Sequence, residues 1–600
     1  VIRACFKVAG QACQFNVLEG PEDIPEFVRW IRSGKTFGLD TETSGLDWWA
    51  DDFKLRLVQF GTEREAYVVP VELGAELLGA AVGAIRDVIR REGRLILQNA
   101  TYDLLVLDAT TDLRMEDVWP AVLDTKILAH LVDSRGEAEG GTGHGLESLT
   151  KHYIDRGTAA AIKASMGKLA RDLGVKKGEV FKAVPWDNGI YLTYSALDPI
   201  LAFRLGRLLL RKIPHTARNL TPFEHEVAEI CSYMSRRGVR LDVDYTVQLS
   251  EKLYADELEW TQIARELGCE NPWSTEQAAD AFEARGTFAK DRTPSGKRKI
   301  DKKFLGELVR KGDLLALAIE QAKSARKKRN TWLKSFLDLV DSKGYIHPGI
   351  NSIQARTARM SIVGVPAQTL PAGDAEIRNC FLADEGHCIV SVDYSNMELR
   401  FLAAHSGDRR MLKAFREGED LHQITADAAG VSRKIGKMGN FLIVFGGGKA
   451  ALVEQAGVSD DVAESVMNGF METFPGVKRF MDDKTKEARR NGYITTPSGR
   501  RLYVDKSRAY SGANYFIQSG SRDITCRALV RMHRKGITPY MLLPIHDEVL
   551  FSVPIEKAEA AAKIIADLMA ETIKGLEIPT DPEIGRDSWG SLYDLEDTKH

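Results

Sequence analysis

The sequence predicts an α/β plus α+β multidomain protein, and three observations carry that prediction. Its 600 residues exceed what a single apolar core serves, so two to four packing units are expected. The first third alternates short apolar strands with helical stretches, whereas roughly 223–340 reads as mostly helical. From about residue 345 onward strands and helices mix again.

Taken in order, FGLDTET and RLILQNA are short β runs, and the Gly-rich stretch from Ser134 to Gly143 is a loop between later elements. Residues 211–222, with two prolines and several polar groups, read as a linker. The helical region carries two basic patches, one from Lys290 to Lys303 and one made of Lys323, Arg326, Lys327, Lys328 and Arg329. CIVSVDY is an apolar strand that runs into a helix, NMELRFLAAHSG. MLLPI and VLFSV flank His546-Asp547-Glu548 and predict a hairpin with polar residues at its turn. No internal repeat is visible.

A hydrophobic share of 44% and a charged share of 28% are those of an ordinary globular protein. No apolar run approaches the length of a membrane span, so no membrane partner is expected, and the N-terminus lacks the order of a signal peptide. The seven cysteines are scattered without a CxxC pair, which argues against a disulfide framework or a zinc site and fits a reducing cytoplasm. Net charge is −3, so any nucleic-acid binding must come from local basic patches.

Asp40 and Glu42 sit two apart on an apolar strand, which points both side chains to one face. Alone, the pair is explained as well by a solvated strand face. Asn99-Ala-Thr-Tyr-Asp103 follows a second apolar strand, and Tyr194-Ser-Ala-Leu-Asp198 follows an aromatic helix start. Two carboxylates about 4 Å apart repel by roughly 4 kcal/mol at an effective dielectric near 20, so a cluster of them needs cations or protons. Oxygen-only ligands favour Mg²⁺ or Mn²⁺ over zinc. The order D-x-E, N-x-x-x-D, Y-x-x-x-D resembles the DEDD 3′→5′ exonucleases, and Asp124-Thr125 matches that family's Asp-Thr. The resemblance implies an RNase H-like domain in which Asp40, Glu42, Asp103 and Asp198 hold two divalent ions and Tyr194 orients the attacking water.

A second constellation lies further along. Asp393 ends the apolar strand, and Asp547 and Glu548 lie at the predicted hairpin. Between them, Arg433, Lys437, Phe441 and Phe445 recur every four residues and so share one helical face. Two cations meet phosphates and two rings stack on sugar and base, although an amphipathic helix with a basic end has the same pattern. Asp393-Tyr-Ser-Asn-Met-Glu398-Leu-Arg and His546-Asp547-Glu548 resemble the first and last palm motifs of family A, polymerase I type, DNA polymerases. Thr357-Ala-Arg359-Met-Ser361 and Asn514-x-x-x-Gln518 resemble two further segments of that family. The resemblance implies a right-hand polymerase: Asp393 and Asp547 bind two Mg²⁺ ions, and Glu548 and His546 act near the primer end. Arg433, Lys437 and His422 would meet the triphosphate, Phe441 and Phe445 would lie beside the nucleotide, and Glu398 would exclude the ribose 2′-hydroxyl. Arg359, Asn514 and Gln518 would face the primer-template, and the two basic patches would grip phosphates.

Five departures from the family pattern stand out: Phe445 for Tyr, Ala358 for Gly, Asn396 for Gln, Tyr510 for Arg and Pro544 for Gln. They bear on accuracy and nucleotide selection and remove no metal ligand. Gly446-Gly-Gly-Lys449 lacks the spacing of a phosphate-binding P-loop. The expected division is an exonuclease domain at 1–215 and a polymerase domain at 216–600, with thumb at about 216–344, palm at about 345–405 and 519–600, and fingers at about 406–518. The expected protein is a monomeric, template-directed DNA polymerase with proofreading. Primer-template DNA and dNTPs would be its partners, in the cytoplasm, which is the host's if the chain is phage-encoded. A compact, phage-like form with no room for a 5′-nuclease domain is implied. The alternative is a stand-alone DEDD exonuclease whose polymerase-like region does no chemistry.

Overall fold

The structure is a computed structural model that describes residues 2–293, 295–371 and 373–593, apart from the side chains of Ile162 and Lys163. Seven strands build the first sheet: β1 (Ile2–Val8), β2 (Gln11–Val17), β3 (Thr36–Thr43), β4 (Leu55–Gly61), β5 (Glu65–Val69), β6 (Arg94–Leu97) and β7 (Val122–Asp124). Their order is β1-β2-β5-β4-β3-β6-β7, with β3, β6 and β7 parallel and β4 antiparallel to β3. Helices α1 (Ala100–Thr110) and α2 (Thr125–Val132) each follow a parallel strand, and α3 (Gly189–Lys212) lies across β3 and β4.

Residues 211–222 are not a free linker. Helix α3 runs to Lys212, a short turn covers His215–Ala217, and α4 (Leu220–Arg237) begins at once. Ile213, Ala217 and Leu220 are buried in the core of the first domain, so the prolines shape a packed elbow. Helix α4 then touches both halves of the molecule: Ala228 joins the first core, and Val227, Ile230 and Met234 join the second.

The helical region is interrupted by a short strand, Val239–Leu241, which pairs with Phe381–Leu382 and Tyr345–Ile346. After it, α5 (Val243–Glu266) packs along α6 (Leu314–Lys327). Residues between 264 and 319 form a small core of their own around Phe282 and Ile319. The largest core surrounds a four-stranded antiparallel sheet of β8 (His387–Tyr394), β9 (Met541–Ile545), β10 (Glu548–Pro554) and β11 (Thr580–Ile584), in the order β9-β10-β8-β11. Pro544 lies on β9, at the sheet's edge, where a missing ladder donor is tolerated. Helices α7 (Met397–Ser406), α8 (Arg433–Val444) and α9 (Ser511–Arg534) complete the part that bears on function. No helix among the described residues is long and apolar enough to cross a membrane.

Candidate active sites

The pleat of β3 presents Asp40 and Glu42 together, as their spacing requires. Asp198 reaches them from α3, one turn after Tyr194, because two glycines let that helix sit directly on the sheet. A methyl at Gly38 would lie 1.8 Å from the Pro199 carbonyl oxygen, and one at Gly61 would lie 2.7 Å from the Ile200 nitrogen. The close approach brings carboxylate oxygens of Asp40, Glu42 and Asp198 within 4.8 Å of one another. Asp103 stands beside this trio, its carboxylate accepting from the Thr41 N–H at 3.0 Å and the Thr41 hydroxyl at 2.6 Å. Ser195 donates to Glu42 at 3.4 Å.

Burial first, and then the neighbouring acids, hold Asp40 and Glu42 well above the usual carboxylate range. Burial likewise pushes Asp103 and Asp198 up to about 7. The Asp198 carboxylate keeps the Tyr194 phenol protonated. A cavity of about 550 Å³ opens over the acids and is lined by Asp40, Asp198, Tyr194, Gln98 and Lys177. Asp124-Thr125 plays a supporting part. The Asp124 carboxylate accepts from the Asn99 and Ala100 amides, both at 2.9 Å, and so fixes the start of α1, which carries Asp103. Thr41, Ser195 and Gly38 escaped the sequence reading. Only the first two offered any local signal, Thr41 between Asp40 and Glu42 and Ser195 next to Tyr194.

At the second site, Asp393 pairs across the sheet with Glu548 on one side and Asp581 on the other. Asp547 lies in a two-residue turn between β9 and β10, with His546 in the left-handed region at φ 58°. Such strain in a non-glycine residue persists where the surroundings impose it. Asn396, also left-handed at φ 52°, makes the bend from β8 into α7. Desolvation, then Asp547 and Glu548, pushes Asp393 up to about 8. Glu548 is raised by burial while accepting from the Ser391 hydroxyl at 2.5 Å. Glu398 is also raised by burial and Asp547, against the pull of Arg359, which pairs with it at 3.0 Å. At both sites the acids outnumber the cations, and the clustered donors are carboxylate oxygens, a set that suits a hard divalent cation.

Comparison with known proteins places the chain in a family. The family model "DNA polymerase family A" matches residues 243–591, and the model "3'-5' exonuclease" matches residues 16–214. The chain belongs to DNA polymerase family A. It is 48% identical to the DNA polymerase of Mycobacterium phage L5 and 45% identical to that of phage D29, each over 99% of both chains. DNA polymerase I of Pseudomonas aeruginosa is 27% identical over 95% of this chain and 65% of its own length. The polymerase domain of Pol1 from M. smegmatis, solved with a DNA primer-template and dNTP, shares the fold at a TM-score of 0.75 and 20% identity, covering 96% of this chain and 99% of that one.

In this family A polymerase, α8 carries Arg433 and Lys437 on an exposed face, followed by Phe441 and Phe445, whose rings lie nearly parallel at 6.1 Å. Phe445 is 5.7 Å from the Arg359 guanidinium, which ties the end of α8 to the Asp547 site. Several expected ligand contacts are engaged within the protein. Arg433 pairs with Asp420. His422 is buried, with Asn440 donating to its Nδ1 at 3.0 Å. The buried Asn514 donates to the Val444 carbonyl at 2.8 Å and accepts from Gln518 at 2.9 Å, so this pair also fixes the end of α8. Tyr510 is exposed at the start of α9.

The basic patches are smaller than the sequence implied. Arg298 pairs with Glu276, Asp280 and Glu283, Lys299 with Asp301, Lys328 with Asp374, and Arg329 with Glu257. Among the described residues, Lys290, Lys297, Lys302 and Lys303 make no ion pair. Asp301 lies within the first run itself, and the other acids, Glu276, Asp280, Glu283, Asp374 and Glu257, lie outside both runs and could not be read from them.

Proposed function

We propose that this polymerase extends primer 3′ ends with dNTPs at Asp393 and Asp547 and trims mispaired ends at Asp40, Glu42, Asp103 and Asp198, in the service of DNA replication. The observation that carries the reading is a set of carboxylates at each place, gathered around its own sheet by the strands, helices and turn that border it. Mg²⁺, with Mn²⁺ as a substitute, would be held by the four acids at the first site and by Asp393 and Asp547 at the second. Bound there, the ions supply activation of an oxygen nucleophile and neutralisation of the leaving phosphate oxygen.

The chain's own groups then bind and orient. Tyr194, kept protonated beside Asp198, donates a hydrogen bond to a water facing the scissile phosphate. Arg433 and Lys437 turn from solvent and Asp420 to the triphosphate, a stronger partner for a guanidinium. Phe441 and Phe445 offer a flat face to sugar and base, and the Glu398 carboxylate fills the space a ribose 2′-hydroxyl needs. Arg359, His546 and Gln518 meet the minor groove at the primer end, where the acceptors are nearly independent of sequence. The unpaired lysines near 290–303 hold duplex phosphates, which makes binding sensitive to salt. Loss of stacking at a mismatched end is worth on the order of 1.4 kcal/mol per step, enough to shift a frayed end toward the trimming site.

A labelled primer on a longer template, with Mg²⁺, tests this reading. Extension with all four dNTPs and 3′ trimming without them are expected. Trimming under both conditions, where a control polymerase extends, would overturn it.

A further inference from the structure

The segment 351–359 joins the two sites. At one end Arg359 pairs with Glu398 and, with His546 and Asp547, lines a small cavity at the polymerase site. The backbone before it is a closed turn. The Gln354 and Ala355 amides both donate to the Arg359 carbonyl at 3.2 Å, and the Ala358 amide donates to Ala355 at 2.7 Å. Ala358 is left-handed, with φ 67°. That conformation costs an L-residue about 1–2 kcal/mol, and burial of one methyl returns only about 0.8 kcal/mol. Something outside the turn must hold it.

The exonuclease domain does so. Ile353 and Ala358 are buried in the same apolar core as Leu97, Leu128 and Leu131. The His130 ring, on α2, donates to the Ala355 carbonyl at 2.8 Å. Arg356 reaches Glu139 at 3.2 Å. One turn before His130, the Lys126 ammonium donates to Asn351 Oδ1 at 2.8 Å and to Asn99 Oδ1 at 3.1 Å. Asn99 precedes α1 and its Asp103, so this lysine bridges the framework of one site to the first residue of the segment that ends at the other.

We infer that Lys126, a residue of the exonuclease domain, is a positioning residue for polymerisation, acting through the strained 351–359 turn on Arg359. This rests on the reading of Asp393 and Asp547 as the polymerising site with Arg359 at its primer end. Without the bridge, the turn loses its anchor at Asn351 and leans on His130, Arg356 and the apolar contacts alone, and partial relaxation at Ala358 carries Arg359 away from Glu398. The exonuclease domain is then part of the scaffold on which extension depends, as well as a second enzyme.

The test is single-turnover extension by the full chain at saturating DNA and dNTP. The variants are Lys126→Met, Lys126→Arg, Arg359→Ala and the double variant Lys126→Met/Arg359→Ala. Misplacement of a reacting group by about 1 Å costs up to about 100-fold, so Lys126→Met is expected to slow extension by about tenfold. Lys126→Arg, which keeps the donors, is expected to restore most of the rate. In the Arg359→Ala background, Lys126→Met should have no further effect, because both act through one group. Should Lys126→Met fail to fold, Asn351→Leu removes the same hydrogen bond from the polymerase side and is expected to show the same defect and the same non-additivity. Parental extension by Lys126→Met, or a loss that adds to that of Arg359→Ala, would overturn the inference alone. Parental extension by Arg359→Ala would overturn the underlying reading of Arg359, and the inference with it.

Discussion

Two charged clusters, one in the exonuclease sheet and one built on Glu224 of α4, are electrostatic opposites. In the exonuclease sheet, Asp40, Glu42, Asp103 and Asp198 crowd together, and burial raises every one of them. Where α4 meets the polymerase domain, Glu224 is more deeply buried still, yet its carboxyl is held down at about 2. Burial opposes that shift, but Arg522 and Arg500 outweigh it. Arg522 grips both Glu224 oxygens at 2.7 Å, and Asp523 completes the set by pairing with both arginines. Balanced charge at full burial makes a joint. Unbalanced charge beside a cavity makes a site that calls for a cation, and a folded protein tolerates that where a ligand supplies the difference.

The sharpest way to break the contrast is to unbalance the joint. Glu224→Gln leaves two arginines facing one aspartate and is expected to cost about 3–5 kcal/mol of stability, read by denaturant unfolding. Both activities should fall together.

Acid does the same reversibly. The folded value of Glu224, about 2, lies below an unfolded value near 4.3, so its contribution is complete above about pH 4.3 and is lost as the pH falls toward 2. The loss amounts to about 3 kcal/mol. An unfolding series between pH 5 and 2 should show that slope in the parent and not in Glu224→Gln.

A steric change at the other cluster should separate the activities. Gly38→Ala pushes α3 off β3 and moves Asp198 from Asp40 and Glu42. Trimming is expected to fall by about 100-fold, with extension near the parental rate in a primer assay.

The smallest effect is a gain. Asp40→Asn removes one of the crowded charges and is expected to raise stability by about 1 kcal/mol while abolishing trimming. Millimolar Mg²⁺ should raise the melting temperature of the parent more than that of Asp40→Asn.

Much of the chemistry was legible because it is written in short range. The D-x-E pair, the Tyr194–Asp198 turn and the hairpin acids each sit within a few residues, where strand and helix periods fix direction. What escaped depends on distant partners. Gly38 matters only because Pro199 lies on it. The run 211–222 has the composition of a linker, but Ile213, Ala217 and Leu220 find a core built by earlier strands. Arg298 belongs to a basic run, yet three acids of a neighbouring helix neutralise it. Val239–Leu241 is too short to announce itself as a strand, and only its pairing partners define it.

The most direct test of two independent carboxylate sites in one chain is a single time course on a labelled, mismatched primer with dNTPs, run with Asp40→Asn and with Asp547→Asn. Asp40→Asn should extend without trimming, and Asp547→Asn should trim without extending. Loss of both activities in either variant would contradict the account.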